Sequence, residues 1–199
     1  NLIVKAYRML SADHRLPHID FNLEKHIPSQ AGLGGGSSDA TYTLRLLNKL
    51  CQLNLNSATL HQYAVRLGAD CAFFVTATPA FATGIGDILE PMNAECAHLH
   101  GMYLLIVKPT VAISTAQAFA FVKPQPTLIK CKDIVAQPVN SEWCNHLTNN
   151  FEVSAFKLHP EMHTIKEQLY NMGALYAQMS GSGSAFFGIF NTPPTLTAN

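Results

Sequence analysis

The ten residues AGLGGGSSDA, numbers 31 to 40, place four glycines (Gly32, Gly34, Gly35, Gly36) ahead of two serines and an aspartate. Glycine loses more conformational freedom on folding than any other residue, so a packed chain gathers it where a β-carbon would obstruct. The segment before the run alternates: Ile19, Phe21 and Leu23 stand between Asp20, Asn22 and Glu24, the period-two pattern of a half-buried strand. The segment after it repeats at helical spacing through Ala40, Thr43, Leu44, Leu47 and Leu50. The expected order is strand, bare turn, helix, with Ser37 and Ser38 placed to cap the helix. The first N–H groups of a helix have no intrahelical partners and sit at the positive end of its dipole. A backbone that can be approached closely at such a point is an anion site, and phosphate is the usual anion. The competing reading, a glycine turn that merely joins strand to helix, would need fewer glycines.

Two common phosphate motifs do not fit. The P-loop needs Gly-Lys-Ser/Thr, and this loop has no lysine. The dinucleotide pattern GxGxxG fails at position 37, a serine, and the following CQLNLNSATL supplies no acid closing a second strand.

Composition excludes several classes. The 199 residues are 48% apolar, enough for one large domain or two small ones. Formal net charge is zero and no basic run occurs, so neither nucleic acid nor an anionic membrane is an expected partner. No apolar run approaches the ~20 residues of a membrane-spanning helix. The five cysteines (Cys51, Cys71, Cys96, Cys131, Cys144) form no CxxC pair. This argues against a zinc site or a disulfide framework and favours a reducing cytoplasm. HPEMH and HLH bring His159, His163, His98 and His100 close in sequence, but neither has the HExxH pattern, and no metal site is expected.

The remaining patterns give a coarse map. Ile3, Ala6, Tyr7 and Leu10 predict a helix over 1–12, followed by a loop at HRLPH. Ser57 is placed to cap a helix that Gly68 ends. CAFFV and AFATGIG read as short elements, and PMNAECAHLHG as the linker between two sub-domains. MYLLIV reads as a strand and TAQAFAFV as a short helix. KPQPT and AQPVN read as loops. Pro160 to Met172 reads as a helix with Ile165, Leu169 and Met172 on one face, closed by Gly173. ALYAQM, SGSGS and AFFGIF read as strand, turn, strand. The mixture indicates an α+β chain.

A third phosphate motif does fit. PSQAGLGGGSSDA, Pro28 to Ala40, resembles the central signature of the GHMP kinase superfamily: a proline, a few residues, then Gly-Leu-Gly-Ser-Ser-Ala-Ala. The triple glycine before two serines resembles the narrower family of 4-diphosphocytidyl-2-C-methyl-D-erythritol kinases, which act in non-mevalonate isoprenoid synthesis. NLIVKAYRML, LGADCAFF, ATGIGDIL, TNNFE and MSGSGSAFFGIF are similar to further segments of that family, so the resemblance spans nearly the whole chain. It implies a two-domain α+β fold: an ATP-binding domain over residues 1–98 and a ferredoxin-like α/β sandwich domain over residues 99–199.

The resemblance also implies roles. Pro28, Gly32, Leu33, Gly34, Gly35, Gly36, Ser37 and Ser38 would hold ATP, with Mg²⁺ travelling on the nucleotide. Asp70 would be the base that accepts the substrate hydroxyl proton; its residue type alone reads equally well as a helix N-cap. Ser180, Gly181, Ser182 and Gly183 would support the phosphate loop, or form an ordinary hairpin turn. Thr115 and Phe119 would line the pocket for the cytosine of a cytidine-diphosphate-linked polyol substrate, although Phe119 on a short helix reads by default as core. A homodimer is compatible with the family. Asp39 stands where the family often has Asn, and is expected to point outward. Asn150 replaces the usual Asp of Asn-Asp-Phe-Glu. The family's Pro-x-Ala-Lys-Ile-Asn-Leu stretch, with its catalytic lysine, has no counterpart in residues 1–199. Those residues alone are therefore expected to be inactive, the segment preceding Asn1 being needed. Another GHMP small-molecule kinase, or a non-catalytic nucleotide-binding remnant of the fold, are the alternative readings.

Overall fold

The computed structural model describes residues 1–123 and 129–196. They form two compact units, one of Asn1–Ser29 with Gly34–Asn93 and one of Gln30–Leu33 with Ala94–Asn199. The loop expected at KPQPT lies outside the described residues from position 124 on.

Helices dominate the first unit. Helix α1 (Leu2–Asp13) opens at Asn1, whose side chain accepts from the Ile3 N–H at 3.0 Å. Helix α2 (Gly35–Leu50) and helix α3 (Ser57–Leu67) follow. The cap of α3 is Asn56 rather than Ser57: its side chain accepts from Thr59 N at 2.9 Å. Asn caps as well as Ser and stands one residue earlier, so Ser57 becomes the first helical residue. The apolar stripes expected from spacing meet in one core of Ala6, Leu10, Ala40, Leu44, Leu47, Leu60, Tyr63, Ala64, Leu67 and Cys71. Each fully buried leucine there is worth roughly 1.5–3 kcal/mol over an exposed one. A 3-10 helix, Ala69–Val75, packs on α2 and α3. The unit ends in an antiparallel hairpin of β1 (Ala80–Thr83) and β2 (Ile88–Pro91), turned by TGIG.

The strand expected over Ile19–Glu24 is absent. Alternation marks a strand only where a neighbouring strand accepts its backbone, and among the described residues no ladder reaches this segment. It lies instead along α1: Tyr7 donates to Pro17 O at 2.9 Å, and the Tyr7 and Phe21 rings meet edge to face at 5.8 Å.

The second unit is built on a three-stranded antiparallel sheet in the order β3 (Tyr103–Val107), β5 (Phe186–Phe190), β4 (Tyr176–Met179). Strand residues alternate between two cores. Leu105, Val107, Ala177, Met179, Phe186 and Phe190 pack with Ala155, Met162 and Leu169 on one face. Tyr176, Phe187 and Ile189 pack with Ile134 and Trp143 on the other. Helices cover both faces, which is why AFFGIF shows no polar alternation. Between β3 and β4 come α4 (Thr115–Phe119), α5 (Cys131–Val135), α6 (Ser141–His146), α7 (Phe151–Leu158) and α8 (Met162–Asn171). Helix α8 begins two residues after Pro160, and Met172 is 39% exposed rather than on the packed face. AQPVN is the loop between α5 and α6, as its proline and polar residues indicate.

Candidate active site

Helix α2 starts without a side-chain cap. Gly34 holds the N-cap position in the left-handed region (φ 66°), and Gly35, Gly36 and Ser37 open the helix. Their N–H groups have no place in the helical ladder. Ser37 and Ser38, expected as caps, lie inside the first turns, and Ser38 N donates to Gly34 O at 2.8 Å. A serine cap needs extended backbone, whereas a left-handed glycine turns the chain into the helix sooner.

The bare backbone has its own neighbours. A β-carbon on Gly32 would lie 2.0 Å from the Ser180 carbonyl oxygen; on Gly34, 2.9 Å from the Phe74 ring; on Gly35, 3.0 Å from the Ile27 side chain. These three glycines make room for the protein itself. Gly36 differs: its β-carbon would meet only Leu2, at an ordinary 3.9 Å. Gly36 is exposed, Leu33 half-buried and Pro28 exposed in the strap ahead of the loop.

Asp70 stands in the first turn of the 3-10 helix, with Gly68 at the N-cap and no side-chain cap bond. The N-cap role open to Asp70 in sequence is thus not the one it has. It is exposed, because the apolar neighbours Cys71 and Ala72 turn into the core while its own side chain turns out. Its turn is tied to the start of α2. Thr41 Oγ1 donates to Cys71 O at 2.8 Å in a buried contact. Burial pushes the Cys71 thiol pKa up, against the lowering effect of the Ser37 and Thr41 hydroxyls beside it. Gly86, in the β1–β2 turn, comes close as well: its β-carbon would be 3.7 Å from Asp70 Oδ1.

One more charged pair borders the helix start. Lys25 Nζ donates to Asp39 Oδ2, and it would lie 3.7 Å from a β-carbon on Gly35. Asp39 therefore turns toward a cation rather than simply outward.

In the second unit, SGSGS joins β4 to β5 and grips residues 30–33. Ser180 Oγ donates to Gly32 O at 2.8 Å, Ala185 N to Ala31 O at 2.9 Å and Ser184 N to Gln30 O at 3.3 Å. Both glycines of the turn have positive φ: Gly181 51° and Gly183 87°. The turn is a hairpin and a support for the glycine loop at once. Asn149, which sequence reasoning passed over, braces it: its Nδ2 donates to Met179 O at 2.8 Å and Gly181 O at 2.7 Å. Glu152 is buried, accepts from Met179 N at 2.9 Å and pairs with Lys166 at 2.7 Å. The signal was available in TNNFE, polar residues on either side of a helix start. Asn150, the departure from Asp, makes no side-chain cap.

Thr115 and Phe119 share one face of α4, which Ser114 and Gln117 close with a capping box. Both are exposed. Phe119 is 59% exposed instead of core, because Ala118 takes the buried position of so short a helix. Its ring stands edge to face on Phe151, 4.8 Å away. The stretch before α4 reaches the hairpin: Ser184 Oγ donates to Val111 O, and a β-carbon on Gly183 would be 3.3 Å from Ile113. The structure thus joins Ser180–Gly183, residues 30–33 and the α4 segment within the second unit, and Gly34–Ser38 with the Asp70 turn within the first.

Known proteins share this arrangement. The family model for the GHMP kinases N terminal domain matches residues 1–78, and that for the GHMP kinases C terminal matches residues 130–197. The 4-diphosphocytidyl-2-C-methyl-D-erythritol kinase of Bacteroides fragilis is 48% identical over 197 residues, 99% of this chain and 70% of that protein. Its counterpart in Bacteroides thetaiotaomicron is 49% identical over 196 residues, 98% of this chain and 70% of that protein. A crystal structure of 4-(cytidine 5'-diphospho)-2C-methyl-D-erythritol kinase matches with a TM-score of 0.72 and 30% identity, over 95% of this chain and 68% of that one. A homoserine kinase from Cytophaga hutchinsonii, with a TM-score of 0.54 and 17% identity over 96% of this chain and 67% of that one, shares the fold. The chain belongs to the GHMP kinases and, within them, to the family of 4-diphosphocytidyl-2-C-methyl-D-erythritol kinases.

Proposed function

We propose that the protein transfers a phosphoryl group from ATP to the 2-hydroxyl of 4-diphosphocytidyl-2-C-methyl-D-erythritol, a step in isoprenoid precursor synthesis by the non-mevalonate route. The observation that supports this reading best is an uncapped helix start, Gly35 to Ser37, on a helix to which the turn that presents Asp70 is hydrogen bonded, from Thr41 Oγ1 to Cys71 O. Phosphoryl transfer asks mainly for positioning and charge stabilisation. The free N–H groups of α2 receive the nucleotide's phosphates. Asp70, exposed and reached by no hydrogen bond among the described residues, accepts the proton of the acceptor hydroxyl. Thr115 and the open Phe119 ring offer a hydroxyl and a stacking face for the cytosine. Mg²⁺ carried by the nucleotide would supply charge neutralisation to the phosphates. The setting is the cytoplasm, in keeping with five unpaired cysteines.

The test is steady-state kinetics on the full-length enzyme carrying Asp70→Asn, with ATP binding and a melting curve beside it. Turnover falls by roughly 10²- to 10⁴-fold, the range of a lost general base, while ATP binding and the melting temperature hold. Near-wild-type turnover would return Asp70 to a structural role.

A further inference from the structure

The acid at position 39 poses an electrostatic problem for a phosphate-binding helix. Gly35 and Asp39 are one turn apart, hence on the same side of α2. A carboxylate one turn beyond the free N–H groups opposes the anion those groups attract. The structure pairs it. Lys25 comes from the strap that precedes the glycine loop, and Ile27 of the same strap packs against Gly35, at 3.0 Å from its β-carbon position. This contact fixes the strap over the first turn. The ammonium of Lys25 is thereby brought to Asp39 and to within 3.7 Å of the β-carbon position of Gly35. Both side chains are about two-thirds covered, at 34% and 28% exposure, so solvent screens the pair less than a free surface pair.

Resting on the reading that ATP phosphates dock at the start of α2, we propose that Lys25 is a positioning residue for them: held by Asp39, it cancels that carboxylate and sets a cation beside the docking point.

The test is equilibrium binding of Mg-ATP to the full-length enzyme and to its Lys25→Met, Lys25→Arg, Lys25→Met/Asp39→Asn and Gly36→Val variants, with melting curves. Lys25→Met exposes Asp39 to the phosphates and weakens ATP binding roughly 10-fold at unchanged melting temperature. Lys25→Arg keeps binding close to wild type, and adding Asp39→Asn to Lys25→Met recovers most of the loss. The KM for ATP rises accordingly, with kcat and the KM of the cytidine substrate little changed. ATP binding by Lys25→Met equal to wild type, or a double variant no better than Lys25→Met, would overturn the proposal. Gly36→Val separates the two levels. If it also binds ATP normally, the docking point itself is wrong and the proposal falls with it. If Gly36→Val abolishes binding while Lys25→Met does not, only the role of Lys25 is refuted.

Discussion

Gly32 and Gly36 stand in one run of glycines and answer to different demands. Gly32 has φ 72° and would press a β-carbon to 2.0 Å from the Ser180 carbonyl. Gly32→Ala should therefore lower stability by more than about 3 kcal/mol, combining a left-handed penalty with a backbone clash; urea unfolding measures it. Gly36 has helical backbone and room for a side chain. Gly36→Val should leave stability within about 0.5 kcal/mol of wild type, since Gly is the weaker helix former, yet weaken ATP binding at least 10-fold by standing over the free N–H groups. Calorimetric titration with Mg-ATP, set against a melting curve, separates the two effects. That glycine was required here was legible in the sequence. That three of the four serve internal contacts was not, because Ser180, Phe74 and Ile27 reach the loop only through the fold.

Among the elements, the β4–β5 hairpin is held from outside as well as by its own ladder. Asn149→Ala removes two hydrogen bonds to hairpin carbonyls and should cost about 1–3 kcal/mol. By loosening the turn that grips residues 30–33, it should also weaken ATP binding; thermal melts and nucleotide titration read the two. Lys166→Met strands the buried Glu152 carboxylate and should cost about 3–5 kcal/mol. Lys166→Met/Glu152→Gln should regain much of it in a urea melt. The hairpin, α1, α2 and α3 were legible because each has a strong period and a clear end signal. Residues 19–24 misled because alternation says nothing about whether a partner strand is there to pair with. Helices α5, α6 and α7 escaped because they are short, at five, six and eight residues, too few turns for a period to stand out. The candidate site divides the same way: Asp70 and the glycine loop stand out in the sequence as motifs, while Asn149, Glu152 and the Lys25–Asp39 pair depend on contacts between distant segments.

At the scale of the whole molecule, buried proton donors set the alkaline limit. Burial, above all, pushes up Cys71 and Tyr63, the latter aided by its bond to Asp13, and carries Tyr170 up to about 12. Each group holds its proton more tightly in the folded chain than in the unfolded one. Their contribution is therefore complete below the ordinary thiol value of 9.0 and is lost as pH rises through the folded values. Unfolding free energy measured against pH should be flat through neutrality with respect to these groups and fall above pH 9.0. Cys71→Ser, which cannot ionise there, should fall less steeply, and an unchanged slope would remove Cys71 from that account. The grip of the hairpin on residues 30–33 bears on how the chain is made. The bond from Ser180 Oγ to Gly32 O spans 148 positions. At ribosomal rates of 5–20 residues per second, roughly 7 to 30 s separate the emergence of its two ends. Residues 30–33 leave the ribosome early yet acquire their fixed shape only when β5 arrives. A chain stalled short of that strand would carry the glycine run without the contacts that set its conformation, so nucleotide could be bound properly only after synthesis of the second unit is nearly done.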